Sequence, residues 1–92
     1  MATVRIPPVL RQKTGGQPEV EAAGGNVGEV LRALIAAHPD TEAQLFGEDG
    51  ELNRYVNVYL NDEDVRVLQA LDTAVKDGDT VVILPAMAGG SR

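Results

Sequence analysis

Apolar and polar side chains alternate over Ala2-Thr3-Val4-Arg5-Ile6, setting Val4 and Ile6 on one face and Thr3 and Arg5 on the other. A period of two is that of a half-buried strand, and Pro7-Pro8 ends it because proline has no N–H to give a central ladder. Gly15-Gly16 turns the chain into a second short strand around Pro18 to Ala22, which predicts a hairpin with a long connection. Gly24-Gly25 breaks that strand. The pattern then changes period: Val27, Val30, Leu31, Leu34 and Ile35 recur at helical spacing, with Glu29, Arg32 and Ala33 on other faces. Asn26 followed by Glu29 resembles a capping box, with Asn in place of Ser or Thr. The helix is expected to end by His38, because Pro39 disfavours helical geometry in the residue before it. His38 itself reads as an ordinary C-terminal cap rather than a ligand.

Residues 40–53 are polar, with an Asp49-Gly50 turn signal and Leu45-Phe46 as a short anchor onto the core. From Arg54 to Leu60 the period of two returns, with Val56, Val58 and Leu60 on one face and Tyr55, Asn57 and Tyr59 on the other. Asn61-Asp62-Glu63-Asp64 predicts a turn, Val65-Arg66-Val67 a short strand, and Asp77-Gly78-Asp79 a turn into Thr80 to Leu84. That last run is apolar on both faces, as an inner strand is. One helix and about five strands predict an α+β fold: a mixed sheet packed on one main helix, its first and last strands central and parallel, which is a β-grasp arrangement. Residues 1–88 read as the domain and 89–92 as a flexible tail.

Composition narrows the chemistry. A chain of 92 residues fits one small domain with a modest core. It has no cysteine and a single histidine, so disulfides, thiol catalysis, a histidine-rich metal site and a Ser-His-Asp triad are all disfavoured. A net charge of −6 argues against a nucleic-acid or anionic-membrane partner and agrees with a basic protein partner. The acidic loop at residues 61–64 lacks the Ca²⁺-loop spacing, and neither glycine pair is followed by the Lys-Ser/Thr of a phosphate loop. The N-terminus shows no apolar signal core, which predicts a cytoplasmic protein. No catalytic or metal-binding residues are expected.

Two features remain. If Val81 and Ile83 face the helix, Val82 and Leu84 face outward near Tyr55 and Tyr59, and an exposed apolar patch of that kind marks a protein interface. The patch leads into Pro85-Ala86-Met87-Ala88-Gly89-Gly90. Composition alone would place a Gly-Gly pair at a given site about one time in a hundred. Glycines without a Cβ can thread a narrow channel and present a terminal carboxylate unshielded.

The closing Asp77-Gly78-Asp79…Val82-Ile83-Leu84-Pro85 and Gly89-Gly90 resemble the ubiquitin-like sulfur carriers, the superfamily of the molybdopterin-synthase small subunit and the thiazole sulfur carrier. Arg54-Tyr55-Val56-Asn57-Val58-Tyr59-Leu60-Asn61-Asp62-Glu63-Asp64-Val65-Arg66 is similar to the CysO-type cysteine-biosynthesis branch, as is Val4-Arg5-Ile6-Pro7…Leu10-Arg11…Thr14-Gly15-Gly16. The resemblance implies that Gly90 is the sulfur-carrying residue, with Gly89 and Ala88 as its tail and Leu84, Val82, Tyr55 and Tyr59 as partner contacts. It implies no cofactor in this chain. The partners are an E1-like adenylyltransferase/sulfurtransferase using Mg-ATP, a PLP-dependent cysteine synthase or another sulfur acceptor, and a metalloprotease that trims the tail. Such carriers end at the diglycine when ready for activation, whereas Ser91-Arg92 follows here. Removal of the two residues by a protease is the expectation, and residues foreign to the natural chain are the competing explanation. Molybdopterin, thiazole or a sulfur-containing secondary metabolite are alternative destinations of the sulfur. A ubiquitin-like modifier conjugated to lysines, or an interaction domain with an inert tail, are alternative functions.

Overall fold

The computed structural model describes residues 1–85. Its centre is a parallel pair made by the two ends of this stretch. Strand β1 (Ala2–Arg5) lies beside β5 (Thr80–Pro85), with Thr3 opposite Thr80, Val4 opposite Val81 and Arg5 opposite Val82. Strand β2 (Glu19–Ala22) adds to β1 antiparallel, β3 (Val56–Leu60) to β5 antiparallel, and β4 (Glu63–Asp64) to β3 at the edge. The five-stranded order is β2-β1-β5-β3-β4, the mixed sheet of a β-grasp fold. Val4, Val58 and Val81 are wholly buried and Ile83 nearly so, all beneath helix α1 (Val27–Ala37). Full burial of such side chains stabilises by about 1.5–3 kcal/mol each.

Helix α1 starts where its cap residues demand. The Glu29 N–H donates to Asn26 Oδ1 at 2.8 Å, and Glu29 Oε1 accepts from the Gly25 N–H at 2.7 Å. The return bond of the box thus reaches one residue upstream of the cap. Gly24 is where β2's exit meets the first turn: a Cβ there would lie 2.7 Å from the Val30 nitrogen, so a larger residue would push the helix off the sheet. Val27, Val30, Leu31 and Leu34 are buried, and Ile35 packs at the margin of the core. At the far end it is the His38 backbone N–H that bonds the Leu34 carbonyl, at 2.8 Å.

The segment expected to be loop contains more structure than its polarity suggests. Pro39–Thr41 forms a 3-10 turn and Glu42–Leu45 a one-turn helix, α2. Together they deliver Leu45 and Phe46 into the core, and the Arg32 guanidinium covers the Phe46 ring at 4.4 Å from its centroid. The connection between β1 and β2 is likewise a 3-10 helix, Pro8–Thr14, entered through Pro7 and Pro8.

Val65-Arg66-Val67, expected as a strand, is instead a 3-10 turn, and the strand is the preceding Glu63–Asp64. The reason is local. Asn61 and Asp62 both take positive φ (49° and 77°), the requirement of a two-residue hairpin turn whose twist matches its strands. This tight turn starts β4 at Glu63, and the Asp64 carboxylate then accepts from the Arg66 N–H at 2.8 Å, curling the chain out of the sheet. Val65 is buried while Val67 is 77% exposed.

Asn61 also ties this hairpin to the start of β5. Its amide donates to Asp79 Oδ1 at 3.0 Å and accepts from the Thr80 N–H at 3.0 Å. Asp79 Oδ2 accepts from the Lys76 N–H at 2.8 Å, across a turn in which Gly78 takes φ 87°. The Lys76 backbone donor first, and the Asn61 amide second, hold the Asp79 carboxyl below its usual range.

Two outcomes follow from these contacts. Asn26→Ala removes the acceptor for the Glu29 N–H and should lower the free energy of urea unfolding by about 1 kcal/mol. Asp79 favours its charged form more strongly when folded, so its contribution is complete at neutral pH and is lost as pH falls below about 4. Asp79→Asn should therefore flatten the acid limb of a plot of urea midpoint against pH.

Candidate functional site

The face of the sheet away from α1 carries the outward residues of β5. Ile83 and Val81 point to the core, so Val82 and Leu84 point away from it; Val82 is half-buried and Leu84 is 43% exposed. Arg5, Val82 and Tyr59 stand abreast in one row across β1, β5 and β3. In the next row Leu84 stands opposite Asn57 on β3 and has no strand partner on its other flank, because β1 has ended at Arg5. Pro7 and Pro8 cause that ending. The result is a groove of about 300 Å³ beside Leu84, lined by Arg5, Pro7, Arg11, Glu19 and Val82 among others.

Tyr55 is not in this row. The Asn53 side chain accepts from the Tyr55 N–H at 2.9 Å, an Asx turn that delays the strand until Val56. Tyr55, 53% exposed, instead borders a second groove of about 250 Å³ at the end of the sheet, with Val9, Leu10, Val56 and Pro85. Gln44 also lines this groove, and its buried Oε1 has no hydrogen-bond partner among the described residues. Tyr59, Val82 and Leu84 are thus brought together and Tyr55 is set apart. Ala88, Gly89 and Gly90 lie outside the described residues.

One organising residue gave no periodic signal in the sequence. Arg66, exposed in the middle of its 3-10 turn, donates to the Val56 carbonyl at 2.8 Å, the Asn53 carbonyl at 2.9 Å and Asn57 Oδ1 at 3.2 Å. It clamps the start of β3 opposite Leu84 and Pro85. Finding it required knowing that residues 53 and 66 meet.

Among the described residues no group of three His, Asp or Glu side chains is placed to hold a metal ion. The carboxyls pulled below their usual range, Asp77 by the N-terminal ammonium and Asp79 as above, sit at the opposite end of β5 from Leu84. Among the described residues no helix is long and apolar enough to cross a membrane.

Comparison with known proteins agrees with this geometry. The ThiS family model matches residues 4–90. The sulfur carrier protein CysO of Mycobacterium tuberculosis H37Rv is 49% identical over 90 residues, covering 96% of this chain and 97% of that one. Small archaeal modifier protein 1 of Haloferax volcanii is 42% identical over 64 residues, 70% of this chain and 69% of its own length. Among solved structures, a chain in the BexX/CysO complex of Amycolatopsis orientalis superposes with a TM-score of 0.90 at 49% identity, covering 98% of this chain and 100% of that one. A match that runs nearly from end to end and spans both the sheet and the diglycine places this chain: it belongs to the ThiS family and is a CysO-like sulfur carrier protein.

Proposed function

We propose that Gly90 is the residue that carries sulfur, once Ser91-Arg92 has been removed. The observation that carries this reading is that the family match ends at Gly90, leaving the last two residues beyond it. Hydrolysis of the Gly90–Ser91 peptide bond by a metalloprotease frees the Gly90 carboxylate. A carboxylate is a poor electrophile, so an E1-like enzyme joins one of its oxygens to the α-phosphorus of ATP and releases pyrophosphate. A hydrosulfide equivalent from a donor protein then attacks the acyl carbon. The acyl–oxygen bond to AMP breaks, an acyl–sulfur bond forms, and Gly90 ends as a thiocarboxylate. This nucleophile is passed to an acceptor enzyme, in our reading a PLP-dependent cysteine synthase of the cytoplasm. The chemistry belongs to the partners, and this chain contributes a recognisable handle.

In this reading residues 1–88 are the handle and residues 89–92 the tail. Leu84, Val82 and Tyr59 are the contacts gripped by the activating and accepting enzymes, and Tyr55 is a second contact reached around Pro85. Pro85 to Gly90 can span at most about 21 Å, so a partner holding Leu84 must keep its reaction centre within that distance.

The similarity to a small archaeal modifier favours a second reading, in which the same activated Gly90 is joined to lysines of other proteins. Mass spectrometry of the chain isolated from its own cell separates the two: a thiocarboxylate supports the carrier, lysine adducts the modifier.

Two expected outcomes test the proposal. A chain truncated after Gly90 should form the acyl-adenylate and, with a sulfur donor, gain the mass of one oxygen-to-sulfur exchange, while the verified full-length chain stays unchanged; reaction of the intact chain would overturn Gly90 as the reacting residue. Leu84→Asp in the truncated chain should lower activation at least tenfold, a loss of about 1.4 kcal/mol of transition-state binding, with an unaltered circular dichroism spectrum.

A further inference from the structure

The net charge of −6 is unevenly spread along β5. At the end where β5 begins stand Asp77 and Asp79, with the Asn61 amide joining Asp79 to the hairpin turn that carries Asp62 and Glu63. Lys76 and the N-terminal ammonium, which pairs with Asp77, offset only part of that charge. At the end where β5 leaves the sheet the sign reverses. Arg5 and Arg11 line the groove beside Leu84, whereas the Arg66 guanidinium is spent on the Val56 and Asn53 carbonyls and on Asn57 Oδ1 across β3.

The carboxylates near these arginines do not cancel them. Glu19 lies 3.6 Å from Arg5, and both side chains are more than half exposed, so the pair is weak. Asp64 is turned back onto the Arg66 N–H. Arg54, stacked 5.2 Å from the Tyr55 centroid, adds little to the positive end because Glu48 and Asp49 share its surface. Arg11 spends its Nε on the Ile6 carbonyl at 3.1 Å, which sets its guanidinium into the groove.

We infer that Arg5 and Arg11 form a positive collar beside Leu84 that receives a carboxylate-bearing protein surface, so that an acidic chain docks exit-end first on acidic partners. The partner's contact surface pairs an apolar patch for Leu84 and Val82 with Asp or Glu side chains at its rim. Guanidinium forks match carboxylates in bidentate geometry. The opposite polarity at the far end of β5 repels the same surface, so the field orients the encounter as well as strengthening it. The inference rests on the carrier reading only for what the partner does, and the collar is tested apart from it.

The test is a titration of ¹⁵N-labelled full-length chain with hexaglutamate, standing in for a carboxylate-rich surface, followed by two-dimensional NMR. Amide shifts should concentrate at Arg5, Arg11, Val82 and Leu84, and should vanish in about 0.5 M salt, where the screening length falls to about 4 Å. Arg5→Gln, an exposed change that leaves the core untouched, should weaken binding several-fold. Hexalysine should instead shift Asp62, Glu63, Asp77 and Asp79. The collar is overturned by hexaglutamate shifts that are absent, that lie at the acidic end or that survive Arg5→Gln. Equal displacement by inorganic phosphate would show a general anion site and also overturn it. None of these arms uses ATP or a free Gly90, so their failure leaves the carrier reading standing, and failure of thiocarboxylate formation leaves the collar standing.

Discussion

Everything in this molecule hangs on the parallel contact between β1 and β5. It joins Thr3 to Thr80 across almost the whole described chain, a closure that carries a conformational-entropy cost no local interaction offsets. Burial supplies the compensation: Val4 and Val81 sit side by side in the middle of the sheet with no exposed surface, beneath the buried stripe of the helix. A parallel pair needs cover on at least one face, and the helix between β2 and β3 provides it. The hairpin with β2 and the antiparallel partner β3 then complete the ladders on either side.

That central placement also explains why Val82 and Leu84 face the open side of the sheet. A strand flanked by two neighbours buries one row of side chains under the helix and presents the other row to the open face. The row that includes Leu84 is held in place by the burial of Val81 and Ile83, and a slip of one residue would exchange the two rows. The strand is also the last element among the described residues, and the diglycine follows it in sequence after three residues. Polar contacts secure both ends of it. Asn61 binds Asp79 and Thr80 where β5 begins, and Arg66 binds the start of β3 where β5 ends.

The family relation and the geometry divide the labour. The relation says that chains like this one carry sulfur. The geometry shows a half-buried Val82 and an exposed Leu84 beside an unpaired flank of β5, with Arg5 and Arg11 lining the adjoining groove. Net charge, taken as a sum, pointed towards a basic partner. The sum hides an uneven distribution, because an arginine on β1 and one on the following 3-10 helix line the groove beside the end of β5.

The helix, the four longer strands and the outward register of Val82 and Leu84 were legible in the sequence, because each depends on neighbours two to four residues apart and on the short-range chemistry of Asn26, Pro39 and Gly78. The family resemblance carried by the diglycine and the segment around Asn61 was equally legible, since it rests on short runs of sequence. Tertiary structure alone decided the rest. Tyr55 shares the alternation of Tyr59, yet an Asx turn at Asn53 takes it off the open face. Val65-Arg66-Val67 has the pattern of a strand, yet Asp64 curls it away, and Arg66 finds acceptors at residues 53, 56 and 57. Hydrophobic period reports which side of an element is buried. It does not report which charged side chains, distant along the chain, are brought to one end of a strand.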